Sequence, residues 1–234
     1  MTDYRYAVIL FDLDDTLLNF SACEQEAFQK ALALIIKDTA EDKRAIIWQT
    51  YQPISSNYWR HKQNSGLSRQ QIIKSSLQDT FTVLESDFSD VTRLAQVYWN
   101  TFCQTACLNL GVEETIRLLS NKYKLGIMTN GYTDSQASRL EASGLACYFQ
   151  SVIVSEAVGY RKPAPEIFKI ALKALQVQPS KVLFVGDSIS HDYQGAVNAE
   201  IDFCYFNQRS QLPDRVQPKY SIKKMSQLVD LLQK

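Results

Sequence analysis

The stretch that decides the fold is AVILFDLDDT, residues 7–16. Its first half is a short apolar run with β-branched members, and such a run predicts a strand buried inside a parallel sheet. Its second half turns acidic at once, with Asp12 and Asp14 directly after the predicted strand. Ligands of open α/β sheets bind beyond the carboxyl ends of the strands. The stretch therefore predicts an α/β core with a polar site that begins at Asp12.

Beyond Gly111 the chain alternates between strand patterns and helical patterns. Pro165 opens one of the predicted helices, and Gly144 ends another. Strands are predicted at residues 124–128, 152–154, 182–185 and 203–206. Alternation of this kind predicts a Rossmann-like parallel sheet with helices on both faces.

A helical segment interrupts this pattern after the first strand. Ser21 and Glu24 have the spacing of a capping box at the start of its first helix. The predicted organisation is a discontinuous α/β core formed by residues 1–17 and 89–234. An α-helical cap domain at residues 18–88 is inserted within it.

The composition argues against polyanionic partners. Lys and Arg number 25, Asp and Glu number 25, and the formal net charge is zero, so no overall field attracts a nucleic acid polymer or an anionic membrane. The five cysteines are scattered without metal-ligand spacing, which favours reduced thiols. The N-terminal pattern lacks the features of a signal peptide. We expect a cytoplasmic monomer or homodimer that binds a small molecule.

Three polar clusters follow predicted strands: Asp12 with Asp14, Thr129 with Asn130, and Asp187. Carboxylate oxygens suit a hard cation, and Mg²⁺ commonly takes one or two carboxylates together with waters and a substrate phosphate. A carboxylate can also attack phosphorus and form an acyl phosphate. These residue types therefore predict Mg²⁺-dependent phosphoryl chemistry at the carboxyl edge of the sheet.

Each cluster taken alone is ordinary. An aspartate after a strand is commonly a turn former, and a lone lysine such as Lys162 is commonly a solvated loop residue. A phosphoryl group nevertheless needs a cation beside it, and Lys162 can supply that charge. The order of the clusters along the chain makes a shared site the better explanation.

Taken together, these motifs resemble those of the haloacid dehalogenase superfamily of phosphohydrolases. The matching segments are FDLDDTL at 11–17, Thr129-Asn130-Gly131, Lys162-Pro163, and Gly186-Asp187 with Asp192. They occur in the family's order and span most of the chain. The helical insert resembles the α-helical cap of this family.

The resemblance implies a role for each acidic residue. Asp12 would be the nucleophile and a metal ligand. Asp14 would be the general acid and base, and its backbone carbonyl would bind the metal. Asp187 would also bind Mg²⁺, and Asp192 would lie in or near the shell of residues that surrounds these metal ligands.

The resemblance also implies how the phosphoryl group is held. Thr129 and Lys162 would bind it, helped by the backbone of Asn130. The substrate would be a small phosphorylated metabolite, because these groups all address a phosphate.

Within the superfamily, the chain is most similar to the bacterial pyrimidine 5′-nucleotidase group. The similar segments are NGYTDSQASRLEASGL at 130–145 and VGDSISHDYQGAVNAEIDFCYFN at 185–207. Glu200 departs from the pattern, since related sequences usually carry glycine there. The group implies a nucleoside 5′-monophosphate substrate, and Tyr58 or Trp59 of the cap is expected to contact its base.

Other functions remain open from the sequence. A sugar-phosphate or other metabolite phosphatase, or a phosphomutase, would use the same motifs. A metal-free haloacid dehalogenase would use the same nucleophile, but dehalogenases of this superfamily lack an acid at the position of Asp14. A non-catalytic phospho-accepting module needs neither Asp14 nor a cap.

Overall fold

The structure of the chain is a computed structural model that describes residues 5–36, 40–207 and 215–233, with the backbone alone at 63–64. Its strands are β1 (Val8–Phe11), β2 (Lys124–Thr129), β3 (Ser151–Val154), β4 (Val182–Gly186), β5 (Asp202–Phe206) and β6 (Tyr220–Ile222). Its α-helices are α1 (Phe20–Ile35), α2 (Glu41–Arg60), α3 (Lys62–Ser65), α4 (Arg69–Val83), α5 (Val91–Cys103), α6 (Val112–Ser120), α7 (Thr133–Ala142), α8 (Ser155–Val158), α9 (Pro165–Leu175), α10 (Gln194–Asn198) and α11 (Gln227–Leu232). Among these described helices, none combines the length and the apolar character needed to span a membrane.

The chain divides into two compact units. The sheet unit comprises the residues up to 21 and those from 106 onward, and the helical unit comprises residues 22–105. The predicted cap ends at 88 instead, and α5 accounts for most of this difference. Tyr98 of α5 packs edge-on against Phe28 of α1, with 5.4 Å between the ring centroids. This contact ties α5 to the helical unit.

The sheet unit is built on six parallel strands in the order β3-β2-β1-β4-β5-β6. β1 is central, and Phe11 is paired with Ile127 of β2 and with Val185 of β4. The carboxyl ends of these three strands are therefore neighbours at one edge. The predicted fold class, a Rossmann-like parallel sheet with flanking helices, is confirmed.

Apolar side chains of the strands bury both faces of this sheet. All four residues of β1 have no exposed surface, as the continuous apolar run predicts. Phe184 of β4 lies between Phe168 of α9 and Phe203 of β5, with ring centroids 5.6 and 5.8 Å away. Burial of this kind holds the strand ends rigidly, which is what a site at the sheet edge requires.

The helical unit has its own aromatic core. Phe28 stacks on Tyr51 at 4.4 Å between centroids and lies 5.3 Å from Trp48. Ser68 begins α4 with a capping box, in which the backbone N–H of Gln71 donates to Ser68 Oγ and that of Ser68 donates to the Gln71 side chain. The helical unit therefore packs aromatic side chains of its own helices against one another.

The start of α1 differs from its prediction. The helix begins at Phe20, so Ser21 lies inside its first turn. The backbone N–H of Phe20 donates to Asp15 Oδ1 at 3.2 Å. The side chain of Asp15 therefore caps this helix, instead of the predicted capping box of Ser21 and Glu24.

Glu200, for which the family resemblance suggests glycine, follows α10 in a left-handed backbone conformation with φ of 57°. Its N–H donates to the carbonyl of Val197, and the N–H of Ile201 donates to the carbonyl of Ala196. Such a backbone suits glycine and costs another residue about 1–2 kcal/mol. The helix end is therefore kept at the expense of backbone strain.

Glu200→Gly is expected to stabilise the protein by about 0.5–1 kcal/mol, because relief of strain exceeds the added freedom of the unfolded chain. Urea denaturation followed by circular dichroism measures the change. Glu200→Ala is the matched control, since it removes the carboxylate and keeps the Cβ, and it should not reproduce the gain. An equal gain in both variants would assign the effect to charge instead of backbone.

Candidate active site

A buried lysine joins two carboxylates at the carboxyl end of β1. Lys162 Nζ lies 2.5 Å from Asp12 Oδ1 and 2.7 Å from Asp192 Oδ1, and all three side chains are buried. Asp12 follows β1 directly, and its backbone N–H donates to the carbonyl of Val185 on β4 at 2.9 Å. Sheet pairing therefore fixes the position of Asp12, and the predicted meeting of Asp12, Lys162 and Asp192 is observed.

Asp187 adds a third carboxylate from the neighbouring strand end. Oxygen atoms of Asp12, Asp187 and Asp192 lie within 4.8 Å of one another, and we call these three residues the acidic cluster. Thr16 Oγ1 donates to Asp187 Oδ1 at 3.4 Å, and the backbone N–H of Ser188 donates to Asp192 Oδ2 at 3.0 Å. The cluster thus gathers oxygen ligands at the spacing of a cation site.

The electrostatics of the cluster show an excess of negative charge. Burial raises the pKa of Asp12 well above its ordinary range; Lys162 opposes this shift, while Asp192 and Asp187 add to it. Burial, then Asp192 and Asp15, raise the pKa of Asp187 to about 7. Burial alone would lower the pKa of Lys162, but the carboxylates of Asp12 and Asp192 outweigh it and raise that pKa. A cation with a preference for oxygen ligands would relieve this repulsion, so the cluster fits Mg²⁺.

The loop that carries Lys162 is held by a reciprocal pair of hydrogen bonds. Asn130 Nδ2 donates to the carbonyl of Lys162 at 2.9 Å, and the N–H of Lys162 donates to Asn130 Oδ1 at 2.8 Å. The side chain of Asn130 therefore positions the lysine. The predicted contact of the Asn130 backbone with a phosphate stays a prediction.

Asp14 has different partners from those of Asp12. Arg139 Nη1 lies 2.6 Å from Asp14 Oδ1, and Gln136 Nε2 lies 2.9 Å from Asp14 Oδ2. Gln136 Nε2 also donates to Thr129 Oγ1 at 2.7 Å. Two side chains of α7 thus connect Asp14 with Thr129 at the end of β2.

The motifs at this site have counterparts in known proteins. A family model for haloacid dehalogenase-like hydrolases matches residues 6–200. This chain belongs to that family. The predicted family and the predicted hydrolase class are therefore confirmed.

Individual relatives cover nearly the whole length of this haloacid dehalogenase-like hydrolase. The magnesium-bound crystal structure of YfnB from Bacillus subtilis matches it with a TM-score of 0.81 at 28% identity, over 97% of this chain and 99% of that one. The pyrimidine 5′-nucleotidase PynA of Streptococcus pneumoniae is 30% identical over 98% of this chain and 96% of its own. The pyrimidine 5′-nucleotidase YjjG of Escherichia coli is 30% identical over 96% of each chain.

The structure separates the predicted acidic residues of this hydrolase into two groups. Asp12, Asp187 and Asp192 form the acidic cluster with Lys162, whereas the carboxylate of Asp14 lies against α7. Binding of a metal by the backbone carbonyl of Asp14 stays a prediction.

Tyr58 and Trp59 belong to the helical unit. The hydroxyl of Tyr58 donates to Asp79 Oδ2 at 2.8 Å, beside a groove between α2 and α4. The ammonium of Lys62 lies 5.5 Å from the ring centroid of Trp59. Both side chains are partly exposed, and their contact with a substrate stays a prediction.

Gln136 and Arg139 were not among the predicted site residues. They lie three positions apart on α7, directly after the Thr129-Asn130-Gly131 motif, and both are buried. Two long polar side chains on one face of a helix that follows a site motif were a usable signal, because residues three apart on a helix are neighbours.

Proposed function

We propose that this hydrolase is a Mg²⁺-dependent phosphomonoesterase that forms an aspartyl phosphate on Asp12, with a pyrimidine nucleoside 5′-monophosphate as its substrate. The observation that carries the proposal is the buried contact of Lys162 with Asp12 inside the acidic cluster. A nucleophilic carboxylate, a cation for the phosphoryl group and oxygen ligands for a metal are then adjacent.

In the first step, an oxygen of Asp12 attacks phosphorus, and the bond from phosphorus to the leaving oxygen breaks. Asp14 in its protonated form gives its proton to that oxygen, so the alcohol leaves neutral. In the second step, Asp14 as carboxylate takes a proton from water, and the water oxygen attacks phosphorus. The acyl phosphate bond breaks, inorganic phosphate leaves and Asp12 is regenerated.

The remaining residues stabilise charge on the phosphoryl group. Lys162 offers a buried ammonium, and the hydroxyl of Thr129 offers a hydrogen-bond donor. Asp12 and Asp187 would hold Mg²⁺, with Asp192 beside them. When bound, Mg²⁺ supplies neutralisation of the phosphoryl oxygens.

The relatives support a pyrimidine nucleoside as the leaving group, and the helical unit is the part of the chain proposed to recognise it. Two relatives at 30% identity are pyrimidine 5′-nucleotidases. The phosphate-binding residues address only the group that every monoester shares, so we assign discrimination among leaving groups to the helical unit.

A substrate screen tests this proposal. The purified protein with Mg²⁺ is given UMP, dUMP, CMP, AMP, several sugar phosphates and 2-chloropropionate, and phosphate or chloride release is measured. Preferred hydrolysis of pyrimidine monophosphates is expected. Preference for a sugar phosphate would overturn the nucleotidase assignment, and chloride release without phosphatase activity would overturn the phosphatase assignment.

Asp14→Asn is expected to slow hydrolysis by roughly 10²–10⁴-fold on a nucleoside monophosphate, because its poor leaving group needs a proton. An aryl phosphate such as p-nitrophenyl phosphate needs that proton least, so its attack step should suffer less. Steady-state rates on both substrates, with rapid-quench detection of phosphorylated protein, measure the difference. Equal losses without any accumulated intermediate would contradict the acid–base role.

Trp59→Ala is expected to reduce kcat/KM for the preferred nucleotide. The loss in transition-state binding should be about 1–3 kcal/mol, the usual size of one base-stacking contact. Hydrolysis of acetyl phosphate should remain near the wild-type rate, because that substrate has no base. The ratio of the two kcat/KM values is the measurement. A matching loss on both substrates would assign Trp59 to the packing of the helical unit.

A further inference from the structure

Two buried polar side chains of α7 have no part in the mechanism described above. Gln136 is 1% exposed and Arg139 is 0% exposed. Full burial of a guanidinium is costly unless it is paired, so such a residue needs a specific partner. Their partners are Asp14 and Thr129, the assigned acid–base residue and a phosphate-binding residue.

We propose that Gln136 and Arg139 are positioning residues that fix the carboxylate of Asp14 and the hydroxyl of Thr129 relative to each other. This inference rests on the proposed function. It assigns roles to α7 that the four sequence motifs do not contain.

The contacts to Asp14 restrain its carboxylate fully. Arg139 Nη1 donates to Oδ1 at 2.6 Å, and Gln136 Nε2 donates to Oδ2 at 2.9 Å. One donor alone would leave rotation about that hydrogen bond, whereas two donors on different oxygens define both the position and the plane of the group. The hydrogen bond from Arg139 is the stronger of the two, because its donor is a charged guanidinium.

Gln136 extends the same network to the phosphate-binding residue. Its Nε2 donates to Thr129 Oγ1 at 2.7 Å. Since this hydroxyl oxygen accepts from Gln136, its own hydrogen points elsewhere and is available to a phosphoryl oxygen. One amide nitrogen thus orients both Asp14 and Thr129.

Arg139 also determines which way the Gln136 amide faces. Arg139 Nη1 donates to Gln136 Oε1 at 3.3 Å. A flipped amide would turn its oxygen toward the carboxylate of Asp14 and its NH₂ toward the guanidinium, so the hydrogen bond to Asp14 and the one from Arg139 would both be lost. Arg139 therefore orients the amide of Gln136, and that amide in turn orients Asp14 and Thr129.

Gly131 supplies independent support. A Cβ added at this position would lie 2.3–2.5 Å from the side-chain atoms of Gln136. The space beside the backbone at 131 is therefore filled by Gln136, and the glycine of the Thr-Asn-Gly motif makes room for this residue.

The test compares Arg139→Met with wild type on a nucleoside monophosphate and on p-nitrophenyl phosphate. Displacement of a catalytic group by about 1 Å costs about 10²-fold. We expect a loss of roughly 10- to 100-fold in kcat on the nucleotide, a smaller loss on the aryl ester, and partial rescue by Arg139→Lys. Ser138→Ala, on the exposed face of α7, is the control and should behave as wild type.

A double-mutant cycle separates positioning from mere structure. In the Asp14→Asn background, Arg139→Met should cause little further loss, because the group that it positions is already gone. Equal losses on both substrates, or full additivity with Asp14→Asn, would overturn the inference. Neither result would touch the proposed function, which fails instead if Asp12→Asn remains active.

Gly131→Ala provides a second route if Arg139→Met does not fold. The added methyl group should displace Gln136 and cause a loss of roughly 10-fold or more, and it should cause little further loss when Gln136→Leu is already present. Wild-type kinetics for Gly131→Ala and Gln136→Leu would overturn the inference.

Discussion

Asp12→Asn is expected to lower kcat on every phosphate monoester by on the order of 10⁴- to 10⁶-fold. An amide oxygen cannot form the acyl phosphate, so the covalent route is lost. The fold should persist, because asparagine has nearly the same shape and Lys162 keeps its ion pair with Asp192 at 2.7 Å. Release of inorganic phosphate from the preferred substrate is the measurement.

Asp134→Asn is the matched control for this variant. Asp134 is an exposed residue in the first turn of α7, outside the acidic cluster, so the same chemical change there should leave kcat unchanged. Circular dichroism and thermal melting confirm that both variants are folded. Activity of Asp12→Asn near the wild-type rate would rule out Asp12 as the nucleophile.

Removal of Mg²⁺ by EDTA is expected to reduce activity by about 10³-fold or more, since a metal ion supplies several kcal/mol of charge stabilisation. Mg²⁺ should restore the rate. Ca²⁺ should restore it poorly, because its longer and looser coordination misplaces the nucleophile. Full activity in excess chelator would refute the metal dependence and revive the dehalogenase interpretation.

Binding of Mg²⁺ has a readout that does not depend on turnover. Burial, together with the neighbouring carboxylates, raises the pKa of Asp12 and of Asp187, so a cation beside them would favour their charged forms. Mg²⁺ should therefore raise the melting temperature in a concentration-dependent manner. Asp187→Asn should abolish most of that shift, whereas Asp134→Asn should retain it.

The strands at the site could be predicted because their signals are local. β1 and β4 are continuous apolar runs that lead into an acidic residue, and Pro165 marks the start of α9 at its observed position. The order of β2, β1 and β4 in the sheet then brings the motif residues together. The family motifs therefore predicted residues that the fold places together, namely Asp12, Lys162 and Asp187, and their roles stay predictions.

Other features depend on contacts that are distant in sequence. β6 has three residues and a mixed burial pattern, so its strand is defined by pairing with β5. α6 is a different case, because no helix was predicted there although a local signal exists. Its buried residues Val112, Ile116 and Leu119 have helical spacing. The assignment of α5 to the helical unit rests on the ring contact of Tyr98 with Phe28.

The partners of Asp14 show the same limit at the site itself. Gln136 and Arg139 are polar residues on a helix, and such residues are usually solvated. Their burial follows from the position of α7 beside the turn after β1, so their spacing on one helix face marks them as neighbours but does not reveal that Asp14 is their partner. The structure thus adds the two residues that hold the predicted acid–base group.

The proposed mechanism depends on the aspartyl phosphate, and trapping this intermediate is the most direct test. Asp14→Asn is mixed with p-nitrophenyl phosphate and Mg²⁺, quenched in acid after a single turnover, and digested for mass spectrometry. We expect one phosphoryl group on the peptide that contains Asp12, removed by hydroxylamine and absent from the Asp12→Asn protein. A phosphoryl group on any other residue, or turnover with no phosphorylated protein at any time, would contradict the mechanism.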